Sequence, residues 1–120
     1  MRRLWMVFAM AVLVSLPLLA AGRADQVPAK PLQLKVSTEF DGATAVAVLS
    51  WRDMSSDELG FEVLRSDNNG DFRVVGTVGA NTTQYRDEIG KYITGPFTYK
   101  VRAFNEAGKS EASNEASVWI

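Results

Sequence analysis

The chain has 120 residues, 47% of them apolar, with 13 basic and 14 acidic side chains, no cysteine and no histidine. That length allows one domain. The missing cysteine excludes a disulfide framework or a thiolate metal site, and the missing histidine excludes Ser–His and Cys–His catalysis. Without residues 1–24, which hold Arg2, Arg3 and Arg23, 10 basic and 14 acidic side chains remain, a net charge of −4 that argues against nucleic-acid partners.

Residues 1–24 have the three parts of an export signal. Arg2 and Arg3 precede an apolar run from Leu4 to Ala20, with Pro17 near its end, and small residues follow. Cleavage fits after Ala21 or Ala24; Ala24, with Gly22 as the second small residue, is the expected position. The mature protein is therefore expected in the periplasm or outside the cell. Kept in place, the helix would be the only membrane attachment, and at roughly 17 apolar residues it sits at the short limit for a span.

Residues 25–31 (DQVPAKP) read as an extended lead-in, and 32–120 as the folded domain. In Leu32–Phe40, Leu32, Leu34 and Val36 alternate with Gln33, Lys35 and Ser37, the period of a half-buried strand. Asp41-Gly42 turns the chain. Ala43–Trp51 puts Ala45, Ala47, Leu49 and Trp51 on one face, with Val46 and Val48 on the other. After the polar loop Arg52–Leu59, Gly60–Ser66 is a strand with Phe61 and Val63 inward. Asn69-Gly70 marks a hairpin into Phe72–Val78, interrupted by Gly76. Thr83–Asp87 is a short strand centred on Tyr85. The strongest alternation is Phe97–Phe104: Phe97, Tyr99, Val101 and Ala103 share one face, and Asn105–Gly108 ends the run. Glu111–Trp119 is expected to close the domain as one strand. Seven short strands with no helical period outside the signal predict an all-β sandwich.

No constellation specifies a reaction. Asp67, Asn69 and Asp71 space oxygens as a calcium loop begins, but Gly70 comes two positions early and Val78 stands where the twelfth-position glutamate belongs. The acidic residues Asp53, Asp57 and Glu58, and the pair Asp87-Glu88, have the types needed for glycoside hydrolysis, without the cleft that chemistry requires. Asn81-Thr82-Thr83 fits a glycosylation sequon but reads as turn chemistry. Arg65, Arg73, Lys100 and Arg102 would form a basic stripe if their strands adjoin, and Glu62 among them predicts cross-strand ion pairing instead. No catalytic, cofactor or metal residue is expected.

Taken together and in order, these residues resemble the fibronectin type III family, of the kind found in secreted bacterial proteins. The resemblance rests on Leu49 and Trp51; on Gly60, Phe61, Val63, Arg65 and Ser66; on Tyr85 and Asp87; on Ile93; and on Tyr99, Val101, Ala103, Asn105, Gly108 and Ser110. It covers about Leu32 to Trp119. It implies a seven-stranded immunoglobulin-like sandwich with a core of Trp51, Phe61, Val63, Tyr85, Tyr99 and Val101. In that family the Tyr99 hydroxyl would bond a backbone group a few residues upstream. The Arg-Gly-Asp of some animal members is absent, so integrin binding is not implied. The resemblance implies a non-enzymatic binding module whose partner is another envelope or extracellular protein. The expected partner surface is Leu64 and Phe104 on the outward strand face, with Asn105, Glu106 and Lys109 in the adjoining loop. A glycan is the alternative ligand, with Tyr92 and Trp119 as free aromatics for stacking.

Overall fold

The computed structural model describes residues 25–120, so the expected signal segment, 1–24, lies outside the described residues. Eight strands follow in order: β1 (Leu32–Asp41), β2 (Thr44–Arg52), β3 (Gly60–Asp67), β4 (Phe72–Gly79), β5 (Gln84–Lys91), β6 (Pro96–Asn105), β7 (Gly108–Lys109) and β8 (Ala116–Trp119). One sheet has the order β1-β2-β5; the other runs β4-β3-β6, with β7 and β8 both pairing the far side of β6. All pairings are antiparallel, and there is no helix among the described residues.

The inward alternation of β2, β3 and β6 makes the core. Ala47, Leu49 and Trp51 of β2 meet Phe61 and Val63 of β3 and Phe97, Tyr99, Val101 and Ala103 of β6, with Leu34 of β1 closing one side. The Trp51 and Phe61 rings pack tilted at 60°, with centroids 5.6 Å apart. Aromatic pairs of this kind add to the area they bury. Tyr85 is half-buried at the margin of this core rather than within it. Its ring lies where a Cβ on Gly76 would go, and its hydroxyl donates to the Val75 carbonyl at 3.3 Å. Gly76 thus interrupts the hydrophobic pattern because β5 needs the space, and the ladder slips by one residue there, between Val63 and Leu64.

The sheets are also tied by charge. Asp87 on β5 reaches into the other sheet, where its Oδ2 accepts from Arg65 Nη1 at 2.7 Å and from the Tyr99 hydroxyl at 2.7 Å. Arg65 and Tyr99 are cross-strand partners on β3 and β6, so one carboxylate joins both strands to β5. The Tyr99 hydroxyl therefore bonds a side chain twelve residues upstream, and the expected backbone bond is not made. Arg65 faces inward and leaves the expected basic stripe. Its guanidinium also holds Asp67, Nε to Oδ1 at 2.6 Å. Burial and the bond to Asp87 push the Tyr99 hydroxyl up. Burial pulls Arg65 down, but its bonds to Asp67 and Asp87 outweigh this and raise it.

Three local departures from the sequence expectation have clear causes. The hairpin after β3 is a type I′ turn centred on Asn68-Asn69, with φ of 51° and 63°, closed by Gly70 N to Asp67 O at 2.9 Å. Gly70 thus follows the two central positions. β5 runs to Lys91, past the expected end at Asp87, because a bulge at Ile89 breaks the visible alternation. Of the expected final strand, Glu111–Trp119, only Ala116–Trp119 forms (β8), and Gly108–Lys109 before it pairs as β7. Between them, Ser110 exchanges bonds with Ala103, backbone N to O at 2.8 Å, and the hydroxyl accepts from Ala103 N at 2.9 Å. Ser113 does the same with Val101, at 2.8 Å and 3.0 Å. Serine hydroxyls replace backbone carbonyls, three residues of this segment matching two of β6.

Candidate functional site

One end of the sandwich gathers the lead-in, the loop Asp53–Leu59, the turn around Asn81 and the turn Glu106–Ala107. Asn105, at the end of β6, fastens three of these. Its Nδ2 donates to the Gln26 carbonyl at 2.9 Å and the Asp57 carbonyl at 3.4 Å, and its Oδ1 accepts from Ala107 N at 2.8 Å. It is buried by these partners. Leu59 N donates to the Phe104 carbonyl at 2.8 Å, continuing the β3–β6 ladder into the loop.

The loop after β2 is braced from within. Asp53 Oδ1 accepts from Ser55 N at 3.0 Å, and Glu58 Oε2 accepts from Asn81 N at 2.9 Å, tying this loop to the β4–β5 turn. The Ser55 hydroxyl lies 3.2 Å from Asp53 and 2.9 Å from Glu58, with a single proton to donate. Burial and the neighbouring Glu58 carboxylate raise Asp53. Glu58 is also penalised by burial, but the neighbouring Asp53 carboxyl, which takes up the pair's proton first, and the Asn81 N–H and Ser55 hydroxyl hold it below the ordinary range. These acidic residues are therefore spent on bracing the loop.

The surface this frame presents is apolar with an acidic rim. Val27, Met54 and Leu59 are 46%, 42% and 51% exposed. Val27 lies beside Gly108, where an added Cβ would come within 3.2 Å of its Cγ1. Asp25, Asp57 and Glu106 are exposed on the same segments of this end. Phe40, Tyr92 and Trp119, the exposed aromatics among the described residues, belong to the opposite end. There Tyr92 N meets the Ala43 carbonyl at 3.4 Å, and Ile120 and Gly95 exchange two bonds of 2.9 Å.

The expected partner residues are distributed differently from the sequence expectation. Glu106 is exposed; Asn105 is buried as the clamp just described. Lys109 extends to Glu62, 3.3 Å from Oε1. Phe104 is half-buried, its ring over Gly60, where a Cβ would lie 3.1 Å from Cζ. Leu64 is buried, and it does not adjoin Phe104: Leu64 pairs Lys100 while Phe104 pairs Gly60, with the Glu62–Arg102 pair at 2.8 Å between them. Lys100 reaches from β6 to the Phe72 ring on β4, its Nζ 4.1 Å from the centroid, so its methylenes cross β3 above Leu64. Glu62, penalised by burial, is nonetheless lowered by Arg102 and Lys109, and Arg73 pairs Asp67 at 3.3 Å. The stripe of the sequence is an ion-paired face with no continuous apolar patch.

Sequence reasoning matched Ser110 to the family's turn without its bond to β6, and missed Ser113 and Asn114. The Asn114 amide pairs like a peptide unit with Leu34, accepting from its N at 2.9 Å and donating to its O at 3.1 Å, which joins the two sheets at the β1 edge. The three-residue spacing of the serines against the two-residue strand period was the available signal. At the other edge, β5 carries Arg86, Glu88 and Lys91 beside its bulge, protections against pairing with a further strand.

No family model matches the chain, and no curated protein resembles it. Solved structures do. An Fn3-like protein from Clostridium thermocellum superposes with a TM-score of 0.59 at 23% identity, over 77% of this chain and 92% of that one. A run of titin domains gives 0.62 at 21%, over 78% of this chain and 32% of the other. The FN1–FN3 domains of chicken CNTN1 give 0.62 at 18%, with the same two coverages of 78% and 32%. The chain thus spans about a third of the titin and CNTN1 structures and nearly all of the clostridial one. The two-sheet order, the shared core and these superpositions agree: the chain has the fibronectin type III fold.

Proposed function

We propose that the protein is exported, loses residues 1–24, and acts as a non-enzymatic module that recognises another envelope or extracellular protein through the end built around Asn105. The observation that carries this is the set Val27, Met54 and Leu59, three large apolar side chains held exposed by braced loops rather than tucked beneath them. The fold supports the reading, since fibronectin type III domains commonly mediate contacts between proteins. The acidic rim of Asp25, Asp57 and Glu106 favours a partner segment with lysine or arginine flanking an apolar anchor. Of the two recognition modes open to the sequence, the loop version is favoured; the strand-face version lacks a patch. Leu59→Asp should weaken capture of a discrete envelope protein roughly tenfold, the loss of one interface anchor. Unchanged capture, with folding verified by circular dichroism, would refute the assignment.

A further inference from the structure

A concavity lies on the outer face of the β1-β2-β5 sheet. It is a groove of two adjoining parts, about 420 Å³ and about 430 Å³, that share Lys35 and Ser50. Volumes of this order suit a small ligand or a few units of a chain. Ser50 and Val48 form its floor, and the Arg86–Glu39 ion pair, at 2.9 Å, bridges β5 to β1 across β2 beyond them.

Two features set the groove apart from the rest of the surface. Lys35 pairs Ser50 across the strands, and Arg52 stands two residues beyond Ser50 on the same face, so the two cations are diagonal neighbours. Both are exposed, and neither makes an ion pair among the described residues, although residues 25–120 carry 14 acidic side chains against 10 basic ones. The second feature is Gln33. It has a φ of 58° at the β1 bulge, a left-handed conformation costly for a residue with a side chain, and it lines the groove. With Thr83 and Gln84 opposite, the walls offer amides and a hydroxyl around two free cations.

We propose that this groove binds a polysaccharide bearing carboxylate groups, with Lys35 and Arg52 holding a carboxylate while Gln33, Ser50, Thr83 and Gln84 take hydroxyls. The choice of a polysaccharide over an acidic peptide rests on the sheet itself. β2, which floors the groove, is paired on both sides, so a peptide lying over it meets no unpaired backbone; the sheet's edges, on β1 and β5, are at the flanks, and there is no deep apolar pocket for side chains. A chain with a polar group on every unit fits a shallow groove of donors. The choice of carboxylate over denser anions rests on charge: two cations face the groove with Asp53 also at its end.

Affinity electrophoresis of the purified protein tests this, with mobility in each gel compared to the same gel without polymer. Polygalacturonate at low ionic strength should retard the wild type. Lys35→Gln with Arg52→Gln should weaken binding by about tenfold or more, as expected for lost charge-assisted hydrogen bonds. Lys91→Gln, the same charge change at the far end of the sheet, should leave retardation intact. Lys35 and Arg52 are exposed and unpaired, so folding is not at stake. An unretarded wild type overturns the proposal. So does an equal loss in Lys91→Gln, which would make binding a matter of net charge. Equal retardation by polyglutamate overturns the polysaccharide assignment, and equal retardation by fully methyl-esterified polygalacturonate overturns the carboxylate. None of these outcomes depends on Leu59 or on protein capture.

Discussion

Asp87 is where the two sheets exchange a charge, and its partners show how a single buried carboxylate can be accommodated. Arg65 neutralises it and Tyr99 completes its hydrogen bonding, all three side chains being almost fully covered. Breaking such a group is costlier than its net contribution, because the partner left behind stays buried. Tyr99→Phe should cost about 1.5–3 kcal/mol at neutral pH, read from urea unfolding. The same bond sets an alkaline limit. The Tyr99 proton is held more tightly in the folded state than in the unfolded chain, where tyrosine titrates near ~10. Its contribution is complete below that pH and is lost as pH rises above it. The wild type should therefore lose stability steeply above pH ~10, and Tyr99→Phe should show a shallower limb; parallel limbs would contradict the assignment. The sequence displayed Arg65, Asp87 and Tyr99, but not their association. Strand parity placed Tyr99 inward, whereas the 22-residue separation of Arg65 and Asp87 is bridged only by the packing of two sheets.

Among the elements, β2, β3 and β6 were legible because a two-residue period with a buried face leaves an alternation that no helix mimics. The bulge in β5 hides its end from a two-residue pattern, and of Glu111–Trp119 only Ala116–Trp119 is strand. Before β8 the serines repeat every three residues, and hydroxyls rather than carbonyls meet Val101 and Ala103. Ser113→Ala would leave the Val101 N–H buried without an acceptor, a cost of about 1–3 kcal/mol. Hydrogen exchange should locate the damage, with faster exchange at Val101 and Val118 than in β2. Uniform protection would mean that the hydroxyl is dispensable. Leu64 marks a different limit of one-dimensional patterns. Its parity is outward, as the sequence has it, yet the reach of Lys100 from the neighbouring strand covers it, and no spacing along β3 records that.

At the scale of the whole molecule, a cysteine-free sandwich held by its core, one buried ion pair and two edge ties presents its braced loops at one end. The fold was readable from the order of many weak matches, none specific alone. The candidate surface was readable only in part: the loop after β6 was identified, but Val27, Met54 and Leu59 have nothing in their spacing to unite them. Asn105 brings the lead-in and the loop after β2 together across separations of 79 and 48 residues. The opposite end, with Phe40, Tyr92 and Trp119, is the competing surface. A photo-crosslinking amino acid placed in turn at Leu59, Ala107, Tyr92 and Trp119 decides between them. Adducts to a discrete partner from Leu59 and Ala107, and none from Tyr92 or Trp119, are the predicted result. Adducts from Tyr92 or Trp119 with none from Leu59 would contradict it.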